Sequence, residues 1–254
     1  MMRELPAIFF GVIIGKLILP RFLKIDQKVF MVENYRNENV LTSTGIWLAL
    51  TLVLATIPFV FWYKEMPILW FYVMSISFIG LIDDLLHEKA KGLKGHFLKL
   101  RNGVITSGVI KLVFIFILSM GLAFVFRRPN LYVDAALTAL VSNTLNTLDT
   151  RPKRAVNFYL IALFILVLSR ETDLFRLLAL ALSGILFVLI PYETQEKTML
   201  GDAGSNLLGA VLGLCLWKSS ITVKIALIFF GVLWQVFADR YSFSKLLDNI
   251  RKEK

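Results

Sequence analysis

Three groups of carboxylates and amides stand at the edges of apolar runs. The first is the acidic pair that closes Gly80-Leu81-Ile82-Asp83-Asp84. The second is Asn143-Thr144-Leu145-Asn146-Thr147-Leu148-Asp149. Asn143, Asn146 and Asp149 recur there every third residue and are expected on one helix face, where they suit a polar ligand or a hydrated cation. The third is Met199-Leu200-Gly201-Asp202-Ala203-Gly204-Ser205. Its small residues let the backbone approach a ligand closely, and a helix starting there would turn N–H groups and a positive dipole end toward phosphate. Asp202 is then a candidate magnesium ligand, because Mg²⁺ takes one or two carboxylates together with phosphate oxygens and water. A fourth cluster is basic: Lys89, Lys91, Lys94, Lys99 and Arg101, with Arg151, Lys153, Arg154 and Lys197 on the same expected side. It would draw anionic phosphates. Each group alone has a plainer reading: a helix-end pair facing water, interhelical hydrogen bonding, an N-terminal cap, a topology signal. Together they fit Mg²⁺-assisted phosphoryl transfer at a membrane surface, the metal neutralising a pyrophosphate.

The elements that must position these groups follow from composition. Of 254 residues, 57% are hydrophobic and 18% charged, against about 25% charged in soluble domains; mean hydropathy is +0.71. This predicts one all-helical, polytopic membrane domain over 1–254. Apolar segments run at 5–23, 44–63, 66–82, 104–126, 131–148, 155–169, 173–191, 199–217 and 220–238. Nine spans put the termini on opposite sides. Of the 28 Lys and Arg residues, 18 fall on the side of the acidic groups, 8 on the other, and Lys16 and Lys111 lie within spans. The richer side is expected to be cytoplasmic, with the N-terminus outside and the chain in the inner, cytoplasmic membrane. The first segment is not an obvious cleaved signal, because no small-residue cleavage motif follows Leu19-Pro20-Arg21. The single cysteine, Cys215, excludes an intramolecular disulfide and four-cysteine metal sites. His87 and His96 leave little room for a histidine-built metal centre. The net charge of +10 reads as positive-inside bias and attraction to anionic lipid rather than to nucleic acid.

In their order and sidedness these motifs resemble the polyprenyl-phosphate N-acetylhexosamine-1-phosphate transferase family. Gly80 to Asp84 is similar to its aspartate-pair motif. Asn143 to Asp149 is similar to the first half of its Asn-x-x-Asn-x-x-Asp-Gly-x-Asp-Gly motif. Met199 to Gly209 is similar to its Phe-Met-Gly-Asp-x-Gly-Ser motif, with Lys197 matching a frequent lysine. Weaker echoes are Arg36 through Gly45, and Gly92-Leu93 with Lys99-Leu100. The resemblance implies transfer of a sugar-1-phosphate from a nucleotide sugar, usually UDP-linked, to polyprenyl phosphate, releasing UMP, in cell-envelope glycan synthesis. It implies Asp83, Asp84 and Asp202 as catalytic residues, with Asp202 on Mg²⁺. It places Asn143, Asn146, Asp149, Lys91, Lys99, Lys197, Gly201, Gly204 and Ser205 toward substrate, and it is compatible with a homodimer. The chain departs from the family pattern at Thr150-Arg151-Pro152-Lys153, where Pro152 replaces a second aspartate. It departs again at Ser242 and Ser244, which stand where a His-x-His motif is usual. These departures motivate an alternative, a catalytically altered or inactive relative that binds the lipid carrier or a partner protein. A transporter is the third class considered, motivated only by the number of spans.

Overall fold

Lipid supplies no hydrogen-bond partner for a bare peptide group, so each apolar run closes its own backbone ladder as a helix. The computed structural model describes residues 4–24, 31–33, 39–42, 44–86, 106–167 and 174–240. Among these the helices are α1 (Leu5–Phe22), α2 (Thr44–Thr56), α3 (Met66–Leu86), α4 (Ser107–Val125), α5 (Leu131–Leu148), α6 (Arg154–Val167), α7 (Leu174–Thr194), α8 (Gly201–Cys215) and α9 (Ile221–Arg240). Pro58 has no N–H for the preceding turn, and α2 tightens there into a 3-10 turn over Ile57–Phe61. Among the described residues the bundle is all-helical apart from an antiparallel pair, β1 (Met31–Glu33) and β2 (Asn39–Leu41).

Among the described residues six helices are long and apolar enough to cross a membrane: α1, α2 with its 3-10 turn, α3, α4, α7 and α9. The other three differ for a physical reason. The second half of α5 carries Ser142, Asn143, Thr144, Asn146 and Thr147. α6 and α8 are 14 and 15 residues long. α8 has no need of lipid-matched length, because protein surrounds it: every residue from Ala203 to Leu214 is buried.

Glycines permit that burial. A Cβ at Gly45 of α2 would strike the backbone at Ala203 and Gly204, and one at Gly80 of α3 would come within 2.5 Å of the Asp202 carbonyl. On the other flank, Gly209 and Gly213 abut the α5 backbone at Ser142 and Thr138. α8 is thus a spine against which α2, α3 and α5 lie at backbone distance, the small-residue packing expected where apolar burial gives no drive between helices. α1 meets α7 in the same way through Gly11, Gly15 and Gly184.

At the end of the bundle where α5 and α9 begin, a second constraint holds the helices. Asp134 is wholly buried and accepts from Lys224 Nζ at 2.5 Å and from Arg128 Nε at 3.1 Å. Trp217 Nε1 donates to Thr138 Oγ1 at 2.8 Å beside it. Removing one partner of such a pair leaves a buried charge uncompensated, at a cost of about 3–5 kcal/mol. Asp134→Ala is therefore expected to lower the denaturation midpoint in detergent sharply, with much of the loss recovered in Asp134→Leu/Lys224→Met. Equal loss in the single and double variants would contradict this assignment.

Candidate functional site

At the other end of the bundle the C-termini of α3, α5 and α7 meet the N-termini of α4 and α8. The turn into α8 is built first. Met199 N–H donates to the Leu41 carbonyl at 2.8 Å, and Thr44 Oγ1 donates to the Met199 carbonyl at 3.0 Å. These bonds pin the segment to β2 and α2. Gly201 then takes φ 66°, a left-handed conformation that a side chain would strain.

A helix start leaves its first N–H groups unpaired. Here Asp84 reaches across from α3 to take two of them: Oδ1 accepts from Asp202 N–H at 2.9 Å and Oδ2 from Ala203 N–H at 3.2 Å. The Gly201 N–H faces Asp149 at the end of α5. The amides expected to be open to phosphate are thus taken by the protein's own carboxylates.

Asp83, next to Asp84, faces a different partner. Lys111 of α4 donates from Nζ to Asp83 Oδ2 at 2.5 Å and also to Asp202 Oδ2. Lys111 is 5% exposed, and the Asp83 and Asp202 side chains are 13% and 29% exposed. One ammonium therefore joins α3, α4 and α8. The Asn146 amide, with its nitrogen toward the carboxylate, donates to Asp202 Oδ1 and to Ser205 Oγ, both at 2.8 Å, and its oxygen accepts from Lys111 Nζ at 3.2 Å. That orientation pairs every donor with an acceptor. Ser205 Oγ donates in turn to the Gly201 carbonyl at 2.9 Å. Beneath it Asn206 Nδ2 donates to the Asp202 carbonyl at 2.6 Å, and Ser142 Oγ donates to the Asn206 carbonyl at 3.0 Å.

Asp83, Asp84, Asn146, Asp149, Gly201, Asp202 and Ser205 are thus brought together. Asn143 is not: its Nδ2 donates to Gln235 Oε1 of α9 at 2.8 Å. Steps of three residues fall about 60° short of a full turn, so the expected common face rotates away from the cluster over two such steps. Gly204 packs against Gly45 and has a steric role. Lys197 is exposed, lines a groove between α1 and α7, and among the described residues forms no ion pair with the aspartates. Lys89, Lys91, Lys94, Lys99 and Arg101 lie outside the described residues, as do His87, His96, Ser242, Ser244 and Lys245. Three functional candidates come from the structure alone: Lys111, Asn206 and Glu193. Glu193 of α7 is 1% exposed and accepts from the Lys153 N–H at 3.0 Å, which holds the 149–153 turn against the cluster. A lysine inside an apolar span signals a buried partner, and that signal was available for Lys111.

The donors are hard carboxylate oxygens, the type magnesium takes. Asp83 and Asp202 aim hard carboxylate oxygens at one point, and the cation that stands there is the Lys111 ammonium. Among the described residues no three His, Cys, Asp or Glu side chains converge to hold a metal. A magnesium ion here would therefore take the two-carboxylate form, completed by phosphate oxygens and water.

Burial pushes the Asp149 carboxyl well above the ordinary carboxylate range, and the negative charges of Glu193, Asp202 and Asp84 push the same way against the opposing Gly201 N–H. The folded state then holds a proton that the unfolded chain has released, so stability falls as pH rises from the unfolded value near ~3.9 toward the raised folded one. Asp149→Asn keeps an acceptor for Gly201 and removes the titration. Its denaturation midpoint, measured against wild type across this range, is expected to gain steadily with pH; a constant offset would contradict the assignment.

No family model matches the chain and no curated protein matches it, so the functional reading rests on the convergence of these side chains.

Proposed function

We propose that the chain crosses the cytoplasmic membrane nine times, N-terminus outside, and is a divergent polyprenyl-phosphate N-acetylhexosamine-1-phosphate transferase working at the cytoplasmic face. The observation that carries this reading is the meeting of Asp83, Asp84, Asn146, Asp149 and Asp202, drawn from three helices far apart in sequence, at one end of the bundle. In the reaction an oxygen of the lipid phosphate attacks the sugar-bearing phosphorus of a UDP-sugar. The bond to the second phosphate breaks, UMP leaves, and a lipid diphosphate sugar remains. Mg²⁺, when bound to Asp202 and Asp83, would neutralise the pyrophosphate.

The side chains divide the remaining work. Both oxygens of Asp84 are bonded to α8, so Asp84 positions Asp202 and is not a free base. Asn146 holds Asp202 Oδ1 and leaves Oδ2 aimed at the cation position. Asp83 shares the Lys111 ammonium with Asp202 and so holds that charge at the same oxygens. Lys111 supplies positive charge beside the same oxygens. Only positioning and electrostatics are required of the protein in phosphoryl transfer of this kind.

The Lys111 bridge also favours a second reading. An ammonium already satisfying Asp83 and Asp202, with Pro152 where a second aspartate is usual, suits a relative that binds the carrier without turnover. The two are separated by assaying the purified protein with UDP-sugars, polyprenyl phosphate and Mg²⁺. Transfer is expected to release UMP, to stop on chelation, and to be abolished by Asp202→Asn in a protein of unchanged secondary structure. Carrier binding that is indifferent to Asp202→Asn, with no UMP from any nucleotide sugar, would contradict the transferase.

A further inference from the structure

Lys16 and Lys197 are absorbed by neither the carboxylate cluster nor the helix packing. Both are exposed, and among the described residues neither forms an ion pair. They line one groove of about 690 Å³ between α1 and α7, with Val12, Phe187, Val188 and Pro191 as apolar walls and Tyr192 and Gln195 toward its end. The groove has a cause in the packing. Gly11 and Gly15 bring α1 against α7 at Ala181, Ile185 and Val188, so the longer side chains of Val12 and Lys16 flank that contact. Pro191 has no N–H for the Phe187 carbonyl one turn earlier, which leaves an acceptor without its helical partner between two of the lining residues.

Lys16 stands six residues before the end of α1, about 9 Å from it along the axis. An ammonium at that depth in an apolar helix is costly unless it reaches a polar region or an anion. Lys197 follows the end of α7 at the same end of the bundle. Extended toward the helix end, the Lys16 stem brings its ammonium toward the level of Lys197, beside apolar walls that suit a hydrocarbon chain.

We infer that this groove is a binding site for one anionic phospholipid, its phosphate between Lys16 and Lys197 and a chain along Val12, Phe187 and Val188. Two lysines near a membrane surface contribute a preference of roughly thirtyfold for anionic over zwitterionic lipid.

The test uses the full chain, delipidated in detergent and titrated with phosphatidylglycerol or phosphatidylcholine, bound lipid being counted by native mass spectrometry. One tightly held phosphatidylglycerol is expected, with the thirtyfold preference lost in Lys16→Gln/Lys197→Gln. Val12→Phe keeps both lysines and fills the groove, so it is expected to lose the bound lipid too. Equal retention of the two lipids, or an unchanged preference in the lysine double variant, would overturn the site. Retention by Val12→Phe would reduce it to diffuse surface attraction and overturn the groove. Displacement by soluble glycerol phosphate would assign a free phosphate as occupant, and displacement by equimolar polyprenyl phosphate would assign the carrier; either overturns a phospholipid.

Discussion

A lysine ammonium shared by two carboxylates inside a helical bundle is an obligatory contact. Lys111 is costly to leave bare in an apolar span, and Asp83 and Asp202 repel unless a cation or a shared proton stands between them. Their meeting fixes the depth of α4 against α3 and α8 at one level. Everything else near the site adjusts to that level. Asp84, one residue on, falls opposite the open amides of α8, and Asn146 falls where it can bond Asp202 and Lys111 together.

The spine that carries Asp202 makes this geometry rigid. α8 is enclosed by α2, α3 and α5 at glycine contacts that admit no methyl group. The segment leading into it is held by the Met199 backbone bond to β2, and its first turn by carboxylates from α3 and α5. A helix start bound on all sides presents a side chain, Asp202, and few free amides. The same arrangement that excludes phosphate from the helix amides therefore leaves carboxylate oxygens and one ammonium as the groups able to meet a ligand.

Much of this architecture is written in hydropathy. The apolar run 131–148 and the helix Leu131–Leu148 coincide, and the others agree within a few residues. α3 is the instructive exception: it continues past 82 to Leu86 because Asp83 and Asp84 are paired across the bundle rather than solvated. The aspartates were legible because carboxylates at the edges of apolar runs are conspicuous. Lys111 was legible only in part, since a lysine inside an apolar run announces a buried partner but not which one, and Glu193 was not, since its partner lies in another segment and no local spacing announces it. Asn143 misled for the opposite reason: its spacing from Asn146 is local, but its neighbour Gln235 belongs to α9. Periodicity places a residue on a helix; only packing decides what that residue faces.

The coupling of Lys111 to Asp202 can be measured without any substrate. A double-mutant cycle of Lys111→Met and Asp202→Asn, followed by reversible denaturation in mixed micelles, isolates it. The ion pair predicts that the double variant is more stable than the sum of the single losses by about 1–3 kcal/mol. Additive losses, within about 0.5 kcal/mol, would show that the two side chains do not meet, and the site built around them would fall with that result.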